Sequence, residues 1–231
     1  MTKHIVLVPG FWLGAWAWDA VAADLRERGN RVTSLTLPGL APDADRAGVT
    51  LSDQARAILD VADKGSVLVA HSGGAGPAYI ATDIAPDRFE RVIYIDAGPL
   101  ADGLAINSEL DESLTEWPLP TWAEQEASGN SLDGLDDATL ARIRELAVPE
   151  PALVAREPLA LSNPARRNVP TTIVCNALPS EVLLQFRDAG HPMAQELREI
   201  DAEYIDLPTS HWPMFSKPAE LAEIIDKVAN R

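Results

Sequence analysis

The sequence is short of what several protein classes require. It has one cysteine, Cys175, among 231 residues. A single thiol excludes an internal disulfide and a cysteine-ligated metal site. No apolar run reaches the roughly 18 residues that a transmembrane helix needs. Basic residues are scarce, with 19 Lys and Arg against 35 Asp and Glu, a net charge of −16. Phosphate backbones and anionic membranes are bound through clusters of Lys and Arg, so neither nucleic acid nor a membrane is an expected partner. The acidity reads as a solubility feature and disfavours a polyanionic substrate. The opening residues Met1-Thr2-Lys3-His4 enter an apolar run at once, without a signal-peptide core or cleavage site. A cytoplasmic location is therefore expected. A dinucleotide fingerprint is also missing. Pro9-Gly10-Phe11-Trp12-Leu13-Gly14 has the wrong glycine spacing and places bulky side chains where a pyrophosphate would lie. No cofactor and no metal are expected.

What is present is an alternation of short apolar runs and helical patterns. At 46% hydrophobic and 23% charged residues, the chain has ordinary globular composition. Strands are expected near residues 5–8, 31–37, 67–70, 92–95, 169–175 and 203–207. Helices are expected near 19–28, 50–62, 75–85, 192–198 and 219–228. Strands alternating with helices imply a mostly parallel central sheet flanked by helices, an α/β fold. From about residue 100 to 168 strand signals vanish, and acidic helical fragments surround Trp117-Pro118-Leu119-Pro120-Thr121-Trp122. This stretch reads as a helical cap inserted into a single domain spanning 1–231.

The most informative stretch is Val67-Leu68-Val69-Ala70-His71-Ser72-Gly73-Gly74-Ala75-Gly76. An apolar strand, one serine among small residues, and then a helix is the layout of a nucleophile elbow. There a serine sits on a strained turn with its hydroxyl above the sheet, and small neighbours let strand and helix pass closely. Ala70 stands at the first glycine of the usual G-x-S-x-G pattern. The competing reading of Ser72 is a helix N-cap in a glycine-rich turn.

Serine needs a base within hydrogen-bond reach, and the base needs a carboxylate to fix its tautomer. Of the four histidines, His4 lies at the wrong end of the first strand. His71 is expected to point away from its neighbour Ser72, and His191 precedes a helix at the wrong end. His211 follows the last strand, where loops of a parallel sheet carry chemistry, and is the expected base. For the carboxylate, the commonest place is the loop after the 169–175 strand. Ala177-Leu178-Pro179-Ser180 offers none there, and Glu181 is displaced by a residue or two. Asp96, at the end of the neighbouring strand, is preferred, and Glu181 is the alternative. Two amides must hold the developing oxyanion, and the expected donors are Phe11 and Gly73. Trp12, Trp117, Trp122 and Trp212 are expected to line an apolar cavity over Ser72, whereas Trp16 reads as core.

With those positions in hand, the sequence resembles the α/β-hydrolase superfamily. The likeness is nearest to the small plant-type methylesterases, hydroxynitrile lyases and related bacterial esterases. The resembling residues run from Ile5 through Pro9-Gly10-Phe11-Trp12-Leu13-Gly14 to Trp18. Leu37-Pro38-Gly39, His71-Ser72-Gly73-Gly74, Tyr94-Ile95-Asp96-Ala97 and the His211 loop add to them. The departures are Pro9 in place of the usual histidine, Ala70 in the elbow, and the empty acid position. Some dehalogenases of the superfamily place their acid where Asp96 stands. Hydroxynitrile lyases of this group carry a lysine after the catalytic histidine, and here that residue is Trp212. The resemblance implies a serine hydrolase acting through Ser72, His211 and Asp96 on a small neutral, apolar or aromatic ester. A lyase or C–C hydrolase on the same fold, or a silent ligand-binding homologue, are the alternatives. The expected partners are a small-molecule substrate and at most a second copy of the chain.

Overall fold

Ile5-Val6-Leu7-Val8 can be buried together only if both faces of their strand are covered. The computed structural model, which describes residues 2–231, covers both. Its strands in chain order are β1 (His4–Val8), β2 (Arg31–Ser34), β3 (Ser66–His71), β4 (Phe89–Ile95), β5 (Glu116–Trp117), β6 (Glu150–Pro151), β7 (Thr171–Cys175) and β8 (Ala202–Asp206). The helices are α1 (Asp19–Glu27), α2 (Leu51–Val61), α3 (Ala75–Ile84), α4 (Trp122–Ala127), α5 (Asp137–Leu146), α6 (Ala152–Arg156), α7 (Ser180–Ala189), α8 (Pro213–Ser216) and α9 (Pro218–Ala229). Six strands form one parallel sheet in the order β2-β1-β3-β4-β7-β8.

Side chains alternate between the two faces of that sheet, as the period of a strand requires. Ile5, Leu7, Val67, Val69, Ile93 and Ile95 join the core beneath α1 and α9, where Leu25, Leu221 and Ile225 meet them. Val6, Val8, Leu68, Ala70, Val92 and Tyr94 join the core beneath α2 and α3, with Ile58 and Ala78. Burying a Val or Ile side chain is worth about 1.5–3 kcal/mol, so a charged substitution on either face would destabilise the sheet.

The segment between β4 and β7 carries β5, α4, α5, β6 and α6. The two-residue strands β5 and β6 pair antiparallel, Trp117 opposite Glu150. They were not expected, because two residues display no periodicity. The chain after β7 also departs from expectation. The loop after β7 ends at Pro179, and α7, for which no helix was expected, follows it, capped by Gly190 in the left-handed conformation, φ 81°. Helix α7 has no fully buried residue, so the apolar pattern that would have marked it is weak. The helix expected over 192–198 is instead two 3-10 turns, Pro192–Ala194 and Glu196–Arg198. The strand expected over 31–37 stops at Ser34. Among the described residues no helix is long and apolar enough to cross a membrane.

The strand order reverses between β1 and β3, since β2 lies to one side and the later strands to the other. Such a switch point opens a crevice at the carboxyl ends of the strands. The loops after β1, β3, β4 and β8 converge there.

Candidate functional site

Three residues other than glycine have positive φ among the described residues: Trp12 at 65°, Ser72 at 47° and Asp96 at 45°. Each follows the carboxyl end of a strand, β1, β3 or β4, and these strands are neighbours in the sheet. A left-handed conformation costs a non-glycine residue about 1–2 kcal/mol. Strain of this kind persists where surrounding structure fixes it, and it gathers at functional sites.

Ser72 opens a short 3-10 turn that leads from β3 into α3. Its Oγ lies 2.8 Å from His211 Nε2. His211 Nδ1 lies 2.6 Å from Asp96 Oδ2. The other Asp96 oxygen accepts the backbone amides of Asn176 and Ala177 at 2.9 and 3.0 Å. Burial pushes the Asp96 carboxyl up, but the hydrogen bond and charge of His211 and those two amides outweigh it. The net result lies below the usual carboxylate value. Asp96 is thus an anion that accepts from Nδ1–H, which leaves Nε2 free to accept the Ser72 hydroxyl proton. The loop after β7 contributes two amides to Asp96 and no carboxylate of its own. Glu181 is exposed in the first turn of α7, and the structure does not bring it to His211.

The amide-bearing loop lies against this line. A methyl group built on Gly10 would sit 2.6 Å from His71 Nδ1 and 3.0 Å from Ser72 Cβ, so only glycine fits there. A methyl group on Gly73 would sit 2.4 Å from the Phe11 ring. The Phe11 ring thus packs on Gly73, the residue after Ser72, so the two residues expected to supply the amide donors are neighbours.

His71 meets His211 from behind, a contact that its sequence position did not suggest. Its Nε2 lies 2.7 Å from the His211 carbonyl oxygen and must donate to it. The imidazole Nδ1 is then bare, and it has no hydrogen-bond partner. Burial first, and then the charge of His211, push the His71 pKa down to about 3. His71 therefore stays neutral and holds the backbone of His211. Residue type and spacing gave no signal of this, because the contact spans 140 positions.

A cavity of about 430 Å³ opens over Ser72 and His211. Leu100, Ile106, Leu178, Leu183, Met193 and Leu197 form much of its wall. Asp96, His211 and Cys175 are the ionisable side chains that line it. Burial, with the charges of Asp206 and Asp96, pushes the Cys175 thiol up to about 12, so it remains a neutral apolar group.

None of the four tryptophans expected over Ser72 lines this cavity. Trp12 packs edge-on against Trp117 with centroids 4.8 Å apart, and its indole N–H donates to the Trp117 carbonyl at 2.8 Å. Trp122 packs edge-on against Trp212 at 5.6 Å, under the guanidinium of Arg144. Trp212 is buried and meets the His211 ring at 4.9 Å. The physical reason is that a large indole gains most by burying area against other rings, and the segment between β4 and β7 and the core beneath α1 and α9 supply those partners. Trp16 is half-buried, stacked on Phe215 at the edge of that core.

Methylesterase 9 of Arabidopsis thaliana is 38% identical over 100 residues, which cover 40% of this chain and 39% of that protein. A carbendazim hydrolyzing esterase from a Nocardioides species is 31% identical over 156 residues, 64% of this chain and 60% of that one. The chain thus spans from about two fifths to three fifths of the length of these curated relatives. An extracellular alpha/beta-hydrolase from a Paenibacillus species is described as sharing structural and functional homology with tobacco salicylic acid binding protein 2. It superposes with a TM-score of 0.78 at 22% identity, over 97% of this chain and 98% of that one, a likeness of fold. A family model described as "Alpha/beta hydrolase family" matches residues 5–224. With that match extending across nearly all of the sheet and its converging loops, the chain belongs to the alpha/beta hydrolase family.

Proposed function

We propose that this protein is a serine hydrolase that cleaves small, uncharged esters through an acyl-enzyme. The observation that carries the reading is the unbroken line of hydrogen bonds from Ser72 Oγ through His211 to Asp96. Ser72 Oγ attacks the ester carbonyl as His211 Nε2 takes its proton. The carbonyl oxygen becomes an oxyanion held by the Phe11 and Gly73 amides. Collapse of that intermediate expels the alcohol, which receives the proton from His211. Water then adds to the acyl group with His211 again as base, and Ser72 is regenerated. Asp96 keeps the imidazole in the reactive tautomer and stabilises its cationic form.

The substrate class follows from the cavity. Its wall carries no Lys or Arg, so a charged acid would lose hydration without gaining a partner. Aliphatic side chains favour an aliphatic portion of the substrate. The esterase names of the curated relatives support the same reaction class.

A fluorophosphonate probe on the folded protein tests the reading. Stoichiometric labelling at Ser72, lost in Ser72→Ala, is expected. Intact protein that takes up no probe would refute the hydrolase assignment and leave a ligand-binding member of the family.

A further inference from the structure

Trp12 is the odd member of the three left-handed residues. Ser72 and Asp96 present functional groups into the site, whereas Trp12 presents its side chain to the cap. It is the third residue of a turn closed by the Leu13 amide on the Gly10 carbonyl at 3.3 Å. A positive φ at that place is the type II arrangement, which normally calls for Gly or Asn. The Phe11–Trp12 peptide is flipped relative to a type I turn, and tryptophan gains nothing from the flip by itself.

The cap holds it there through three contacts. The Trp12 amide donates to Glu150 Oε2 at 3.1 Å. The Trp12 carbonyl accepts from the Val148 amide at 3.0 Å. The Trp12 indole donates to the Trp117 carbonyl at 2.8 Å. Trp117 and Glu150 face each other across the β5–β6 pair, so the three contacts form one unit. Glu150 itself is fully buried. Its other oxygen meets Gln54 Nε2 of α2 at 3.4 Å.

We propose that Glu150 is a positioning residue of the hydrolytic site. Its carboxyl group, carried by the cap, holds the Phe11–Trp12 peptide in its flipped orientation and so aims the Phe11 amide at the substrate oxygen beside Ser72. The proposal rests on the serine hydrolase reading. Phe11 has its amide on the peptide that precedes the held one, and Gly10, whose carbonyl shares that peptide, backs onto Ser72. Without an acceptor at Glu150, the middle peptide can rotate to a type I turn and relieve the strain at Trp12. The Phe11 amide then loses its fixed direction, and misplacement by about 1 Å can cost up to about a hundredfold in rate.

The charge state of Glu150 fits this role. A carboxylate bonded to the Trp12 amide, one peptide beyond the Phe11 amide, would oppose the charge that develops in the transition state. Burial pushes the Glu150 carboxyl up to about 8, against the lowering effects of the Trp12 amide, Gln54 and Arg46. Near neutral pH the group accepts the amide without carrying charge. The charged groups facing it are Arg46, which donates to the Pro149 carbonyl at 2.8 Å, and Glu116, 3.8 Å from Arg46. Helix α2 presents the neutral Gln54, and the loop after β1 presents no charged side chain there.

The test compares Glu150→Gln and Glu150→Leu with the wild type, using p-nitrophenyl butyrate from pH 6 to 10. Glu150→Gln keeps an acceptor and cannot ionise. Its kcat is expected within about threefold of wild type at pH 7, because the amide contact survives. Glu150→Leu is expected to lose at least about tenfold in kcat with KM changed less than about twofold, as a loss felt in the transition state does. Wild-type kcat/KM is expected to fall above about pH 8, with that limb absent in Glu150→Gln. Circular dichroism and fluorophosphonate labelling report whether Glu150→Leu is folded with Ser72 accessible. If it does not fold, the pH profiles of the wild type and Glu150→Gln decide. A folded Glu150→Leu with unchanged kcat, or identical alkaline limbs in the wild type and Glu150→Gln, would overturn the proposal while leaving Ser72 labelling intact. Absence of labelling in the wild type would instead strike the hydrolase reading itself.

Discussion

Acidification below about pH 6.5 should destabilise the fold through His71. His71 is fully buried, and its pKa is pushed down to about 3, whereas an unfolded histidine titrates at 6.5. Below pH 6.5 the unfolded chain binds a proton at this residue that the native state refuses. The stability His71 contributes is therefore complete above 6.5 and is lost progressively as pH falls toward 3. Within that window each pH unit is worth about 1.4 kcal/mol. Integrated from about pH 7.5 to about pH 5, the loss is about 2 kcal/mol. The structural cause is that protonation would place a charge on Nδ1, which has no partner and faces Gly10. His71→Gln cannot titrate and can still donate to the His211 carbonyl. Urea unfolding of both proteins at the two pH values isolates the contribution, because the remaining groups are common to both. The wild type should lose about 2 kcal/mol more than the variant. Equal losses, within about 0.5 kcal/mol, would refute a neutral buried His71.

Four further outcomes follow from the same geometry. Asp96→Asn should lower kcat by about three to four orders of magnitude, since the imidazole loses its oriented tautomer, while Glu181→Gln leaves p-nitrophenyl ester turnover within about twofold. Glu150 carries the opposite linkage sign. Its carboxyl is raised from 4.5 to about 8 in the native state, so its stability is present below 4.5 and lost as pH rises through 8. Denaturant unfolding near pH 7 should accordingly find Glu150→Gln more stable than wild type by up to about 3 kcal/mol. Gly10→Ala should destabilise the fold by about 1–3 kcal/mol and slow Ser72 labelling, as the added methyl group overlaps His71. Leu183→Trp should raise KM for longer acyl chains by about fivefold or more, whereas Trp122→Ala should not, because Leu183 lines the cavity and Trp122 does not.

The sequence by itself determined the sheet and the order of its loops. Runs such as Ile5-Val6-Leu7-Val8 and Val67-Leu68-Val69-Ala70 are long enough and apolar enough to be doubly buried strands, and the helices between them forced parallel crossovers. From that topology alone, Ser72, Asp96 and His211 fell at one edge, and the structure brings those three together. The preference for Asp96 over Glu181 was legible because the loop after β7 contains no closer acid. Local periodicity carries that much because it records burial, and burial is what the sheet imposes on each residue.

Only the tertiary structure decided the rest. Whether a tryptophan faces a cavity or a neighbour depends on which distant segment packs against it, and for Trp12 that partner, Trp117, is 105 residues away. The His71 contact and the Glu150 contact span 140 and 138 residues. Neither a period nor a motif encodes such meetings. They arise when the chain folds and packs distant loops together, and a histidine or a glutamate acquires its protonation state from what then surrounds it.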